Sequence, residues 1–171
     1  MKLKFLLAAL LLATATVFAA LPKAGDTAPA FSGQDENGKT VALADFAGKK
    51  TVLLYFYPKD FTGGCTKEAC GFRDRMGDLQ TNNVEVIGVS FDSAASHLKF
   101  IEQYHLNFTL LADTDGKIAD AYGVKMPVLN MAKRVSFLIG ADGKILHVTN
   151  AGDPAKHFDE MNAAISEIKK P

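Results

Sequence analysis

The sequence predicts an α/β domain in which a mixed central β-sheet is flanked by helices in three layers. Three observations carry this. Two long apolar runs, TVLLYFY at 51–57 and VEVIGVSF at 84–91, read as strands buried on both faces. Amphipathic stretches of helical period follow each run. The last third holds two shorter strands around Gly140-Ala141-Asp142-Gly143, a hairpin turn, and then a closing helix.

Taken in chain order, the first element is an export signal. Lys2 and Lys4 precede an apolar stretch at 5–12, and Val17 and Ala19 place small residues before Ala20, which predicts cleavage after Ala19. The uncharged stretch 5–20 is shorter than the roughly 20 residues of a membrane span, although an uncleaved anchor is the competing reading. No cysteine adjoins the cleavage site, which excludes a lipidated N-terminus. The expected product is an exported, periplasmic domain at 20–171, without stable membrane association, whose cysteines meet conditions where disulfides persist. Within it, residues 40–43 read as a short strand after the Asn37-Gly38 turn. The strand at 51–57 leads to a helix at 66–79, with Ala69, Phe72, Arg73 and Met76 at helical spacing. The strand at 84–91 leads to a helix at 94–104, and the turn 113–116 opens a short helix at 117–122. Strands at 134–139 and 144–148 form the hairpin. Asp153-Pro154, a cap followed by proline at the first helical position, opens the last helix, with Phe158, Met161, Ile165 and Ile168 on one face. Right-handed crossovers order such a chain as a thioredoxin-like sheet.

Composition narrows the function. Among 171 residues, 19 basic and 19 acidic side chains balance, and no Lys/Arg stripe marks a nucleic-acid face. Two cysteines exclude a disulfide scaffold and a four-cysteine zinc site, and the four histidines (His97, His105, His147, His157) show no ligand spacing, so no metal is expected.

The chemistry concentrates in YPKDFTGGCTKEAC, 57–70, where the central strand gives way to a helix. In open α/β sheets this crossing is where ligands bind. Gly63 and Gly64 allow close backbone approach, and Cys65 falls in the first turn of the helix, where unpaired N–H groups and the dipole favour a thiolate. Cys70 lies five residues on. In a regular helix that separation is about 8.7 Å between Cα atoms, from the standard rise and radius, beyond the roughly 7 Å reach of a disulfide. A static bridge is disfavoured, and a switching one requires the helix start to unwind. Gly71, a weak helix former, is expected to ease that opening.

Pro58-x-x-x-Thr62-x-x-Cys65 resembles the active-site signature of the peroxiredoxins, and Cys70 after four intervening residues resembles the PrxQ/bacterioferritin-comigratory-protein subfamily. The similarity runs from Gly25-Asp26-Thr27-Ala28-Pro29-Ala30-Phe31 to the segment Arg134-Val135-Ser136-Phe137-Leu138-Ile139. Gly63 stands where the family usually has proline. The resemblance implies a cofactor-free, thiol-dependent peroxidase acting on hydrogen peroxide and organic hydroperoxides. Cys65 would be peroxidatic and become a sulfenic acid. Cys70 would resolve it as a disulfide. Thr62 would hydrogen-bond thiolate and peroxide, Arg134 would supply a fixed positive charge, and Pro58 would shield the site. Glu68 would orient Arg134, unless it is a solvent-facing helix carboxylate. Arg73 and Arg75 fit a solvated face. A thioredoxin-like or other dithiol reductant is implied as partner, with a monomer or weak homodimer as the assembly. The alternative is a thioredoxin-fold copper metallochaperone using the two cysteines and a histidine. It leaves Pro58, Thr62 and Arg134 without a role.

Overall fold

The computed structural model describes residues 19–168, so the expected signal at 1–19 lies, Ala19 apart, outside the described residues. The elements are β1 (Ser32–Gln34), β2 (Thr40–Ala42), a 3-10 turn (Leu43–Phe46), β3 (Thr51–Phe56), α1 (Gly63–Asp74), α2 (Met76–Thr81), β4 (Val84–Ser90), α3 (Ala94–Tyr104), β5 (Thr109–Ala112), α4 (Lys117–Ala121), β6 (Lys125–Met126), β7 (Met131–Ala132), β8 (Val135–Ile139), β9 (Ile145–Thr149) and α5 (Pro154–Ser166). The main sheet runs β5-β4-β3-β8-β9. The first three strands are parallel and the last two antiparallel, which is the mixed sheet expected.

β3 occupies the centre because every second side chain serves a different core. Val52, Leu54 and Phe56 pack with Ile118 and Tyr122 from the α4 side and Phe31 near the β1–β2 hairpin. Leu53, Tyr55 and Tyr57 pack with Cys65, Ala69 and Phe72 of α1, Phe100 of α3 and Met161 of α5. That alternation is the two-residue period of a strand between two helical layers. Register then positions the site. Phe56 pairs with Val135, so Arg134 lies at the sheet end where the chain leaves β3 for α1.

The helix layer differs from expectation at one joint. The predicted helix at 66–79 starts earlier, at Gly63, and breaks at Arg75, whose φ of −100° and ψ of 7° separate α1 from α2. Met76 and Leu79 anchor α2 independently. α5 begins as expected: the Asp153 carboxylate accepts from the backbone N–H groups of Ala155 and Lys156 at 3.1 and 2.9 Å, with proline next. It packs along α1, and Phe72 sits wholly buried between the rings of Tyr55 and Phe158, 5.1 and 5.2 Å away. Burying such a ring contributes roughly 1.5–3 kcal/mol.

Two glycines make this packing possible. A Cβ on Gly64 would meet Pro154 Cγ at 2.8 Å, and one on Gly71 would meet the Phe158 ring at 2.7 Å. Gly71 is therefore also placed by a close approach between helices, in addition to the expected easing of helix opening. Alanine there would force the Phe158 ring to shift away from α1.

Candidate active site

Thr62 precedes the first turn of α1, and its carbonyl accepts the first helical bond from Thr66 N at 2.8 Å. Cys65, in that first turn, is 2% exposed, and its sulfur receives Arg134 Nη2 at 3.2 Å. The same guanidinium turns Nη1 to Glu68 Oε2. One planar fork thus bridges a thiol and a carboxylate one helical turn apart, geometry that suits arginine and not lysine. Glu68 is 2% exposed. The solvent-facing reading of Glu68 is overturned, because the β8 end and α5 close over that side of α1.

Burial pushes the Glu68 carboxyl up to about 7, against the charge and hydrogen bonds of Arg134, which pull the other way. Its second oxygen, Oε1, has no hydrogen-bond partner among the described residues and lies 3.6 Å from His157 Nε2. His157 is fully buried, with Nδ1 3.1 Å from the Ala151 carbonyl and Nε2 2.7 Å from Ser136 Oγ. Desolvation, aided by the Arg134 charge and opposed by the Ala151 bond, holds it down to about 4, so it is neutral through the physiological range.

The other expected residues surround the sulfur less directly. Gly64 lies under Arg134, where a Cβ would come within 3.5 Å of Nη2. Pro58 is half-buried and lines a cleft with Lys59, Phe91, Asp92, Leu129 and Met131. The Thr62 side chain is exposed and its hydroxyl donates to the Lys59 carbonyl at 3.0 Å, so a bond to the thiolate requires rotation about its side chain. Cys70 is half-buried on the same unbroken helix, and both thiols are free. Arg73 is not merely solvated. It donates from Nη1 to the Tyr104 carbonyl at 2.6 Å, tying α1 to the end of α3.

The sequence reading missed the anchor of the 57–62 loop. Buried Asp60 accepts from Tyr57 Oη and Ser96 Oγ, each at 2.7 Å, and lies 3.0 Å from Nδ1 of fully buried His97. Its backbone N–H donates to Asp92 at 2.9 Å. The anchor holds Phe61 at a φ of +60°, a left-handed conformation uncommon outside glycine. Desolvation raises the Asp60 carboxyl, but the bonds from His97, Ser96 and Tyr57 outweigh it and leave it below its ordinary 3.8. A depressed carboxylate stabilises the fold above its unfolded value and loses that contribution as pH falls through the folded one. Asp60→Asn should therefore lose about 2 kcal/mol at neutral pH. In urea unfolding the gap to the parent should narrow as the pH drops below 3.8.

A metal site is not formed: no cluster of three His, Cys, Asp or Glu side chains occurs among the described residues. The guanidinium against Cys65 would also repel a copper ion. Among the described residues the metallochaperone alternative lacks a histidine beside the two cysteines.

Comparison with known proteins agrees. The family model described as "AhpC/TSA family" matches residues 24–148. Peroxiredoxin Bcp of Escherichia coli strain K12 is 46% identical over 143 residues, which span 80% of this chain and 91% of that protein. The chloroplastic peroxiredoxin Q of Sedum lineare is 38% identical over 156 residues, covering 90% of this chain and 83% of that one. Among solved structures, peroxidoxin BcpB from Mycobacterium tuberculosis superposes with a TM-score of 0.81 at 34% identity, over 86% of this chain and 99% of that chain.

Proposed function

The chain belongs to the AhpC/TSA family and is a peroxiredoxin, a thiol peroxidase, and from that premise we propose that Cys65 is its peroxidatic cysteine and Cys70 its resolving partner. The observation that carries the assignment is the Arg134 fork on the Cys65 sulfur at the start of α1. The Cys65 thiolate attacks one peroxide oxygen, an S–O bond forms as the O–O bond breaks, and sulfur gives up two electrons. The departing oxygen takes a proton and leaves as water or an alcohol. Arg134 Nη2 faces the developing negative charge. The Cys70 sulfur then attacks the sulfenic acid sulfur, the S–O bond breaks, the leaving hydroxide takes the Cys70 proton and departs as water, and a dithiol reductant returns the disulfide to two thiols. No cofactor enters the cycle. Hydrogen peroxide and organic hydroperoxides are the substrate class this reading gives it, and the cleft beside Pro58 is lined by both polar (Lys59, Asp92, Asn130) and apolar (Phe91, Leu129, Met131) residues. Two cysteines on one helix support intramolecular resolution, which suits a monomer or weak homodimer.

We further propose that the enzyme is exported to the periplasm. Lys2, Lys4, the apolar stretch 5–12 and the small residues before Ala20 support this. Its reductant is then a thioredoxin-like dithiol of that compartment.

One equivalent of hydrogen peroxide tests the cycle. Both thiols should disappear with a mass loss of two hydrogens per chain, whereas Cys70→Ser should instead gain one oxygen, on Cys65. Because the pair cannot join across an intact helix, amide exchange across 63–73 should be faster in the oxidised protein than in the reduced one. Equal exchange in the two states would leave Cys70 a bystander and assign resolution to an external thiol.

A further inference from the structure

His157 lies outside the signature that identifies the site, yet its Nε2 sits 3.6 Å from the unpartnered oxygen of Glu68. Its tautomer follows from its partners. Nδ1 faces the Ala151 carbonyl, which only accepts, so Nδ1 carries the proton and donates. Nε2 therefore presents a lone pair, and Ser136 Oγ donates to it. That lone pair also lies 3.6 Å from Glu68 Oε1. An ionised Glu68 would set a carboxylate oxygen against it, which is repulsive. A protonated Oε1 would instead donate to it, closing a few tenths of an ångström while the Ser136 hydroxyl rotates away.

The second consideration is charge. The groups around Glu68 are Cys65 on the same helix, Arg134 at the start of β8, His157 on α5 and Tyr55 on β3. His157 is neutral, and burial foremost, with the nearby Glu68 carboxylate adding to it, keeps the proton on Tyr55. Among the described residues that face Glu68, Arg134 is then the one cation, and one cation compensates a single anion, either the thiolate or the carboxylate.

We propose that Cys65 and Glu68 share one proton, and that His157 is a positioning residue that keeps it on Glu68 and so leaves the Arg134 charge to the Cys65 thiolate. This rests on the assignment of Cys65 as peroxidatic. The proton released by the thiol is held on Glu68 Oε1 against the imidazole, the net charge of the pocket stays at zero, and no oxidant or reductant is involved. A neutral Glu68 also keeps Oε2 as an acceptor for Arg134 Nη1, so the fork stays aimed at sulfur.

The test follows the ultraviolet absorbance of the thiolate against pH in a Cys70→Ser background, where Cys65 is the one thiol. His157→Leu should move the midpoint up by about one pH unit and slow reaction with hydrogen peroxide about tenfold near neutrality, with parent rates recovered at alkaline pH. Adding Glu68→Gln to His157→Leu should return the midpoint, because no proton is left to misplace. Glu68→Gln alone should shift it by less than about 0.3 unit. A fall of a unit or more in Glu68→Gln, a pH-independent rate loss in His157→Leu, or no rescue in the pair would overturn the proposal. If His157→Leu fails to fold, His157→Met takes its place in the same titration and pairing with Glu68→Gln. Peroxide consumption by the same background with Cys65→Ser would instead overturn the assignment of Cys65 itself, so the two failures are distinct.

Discussion

Cys65→Ser loses peroxide turnover completely, down to the uncatalysed background. The reaction requires the attacking atom to accept oxygen, hold it as a sulfenic acid and surrender it to a second thiol. A serine hydroxyl does none of this at neutral pH, because its anion is not accessible and oxygen has no equivalent two-electron step. The fold should survive, since the serine side chain is smaller than that of cysteine and its hydroxyl can still accept from Arg134 Nη2. Peroxide consumption with a dithiol reductant, read beside an unchanged circular dichroism spectrum, checks this. Residual turnover above background would mean that the nucleophile lies elsewhere.

Arg134→Met carries the second largest effect. Removing the cation withdraws a charge-assisted bond from the thiolate and from the oxygen leaving the peroxide, on the order of 10²–10³-fold in the second-order rate. The thiolate titration should move to higher pH than the parent's. The fold is spared the usual cost of an orphaned buried charge. Burial already holds Glu68 near neutrality, and without Arg134 it simply keeps its proton. Stopped-flow mixing with hydrogen peroxide separates this from misfolding, because a loose fold would lose thermal stability in proportion. Parent-like kinetics would show the guanidinium to be structural only. Arg134→Lys should recover little, since one ammonium cannot serve sulfur and carboxylate through a rigid fork.

Cys65 was legible in the sequence for a local reason: the 57–70 segment carries strand, glycines, nucleophile and helix start in one continuous stretch. Arg134 was legible only through the resemblance of 134–139 to the peroxiredoxin pattern, because the strand period alone gives an arginine at its start no role. What was not legible depends on which surfaces meet. Glu68 is three residues from Cys65, which fixes its place on the helix but not whether β8 and α5 cover it. His157 stands four residues before Met161, on the apolar face of the last helix, a hint of burial that says nothing of Glu68. The short strand β5 (TLLA) and the hairpin β6–β7 were missed because four and two residues are too few for a period to show. Gly71 read as a propensity effect because the Phe158 ring that needs its bare Cα comes from a segment 87 residues away. The break at Arg75 falls between Gly71 and Gly77, neither of which stands at the joint itself.

That break bears on how quickly the enzyme is ready for its next substrate. When α1 frays to let Cys70 reach Cys65, the disturbance meets a joint at Arg75, beyond which α2 is pinned by Met76 and Leu79. The segment that must re-form after reduction is at most twelve residues long, tethered at its far end and facing an α5 surface that still displays Phe158 and Met161. Helix rewinding on that scale takes about a microsecond or less. The mechanical reset is then far faster than any bimolecular encounter with a dilute reductant, and the duty cycle of the enzyme is set by how often the electron donor arrives.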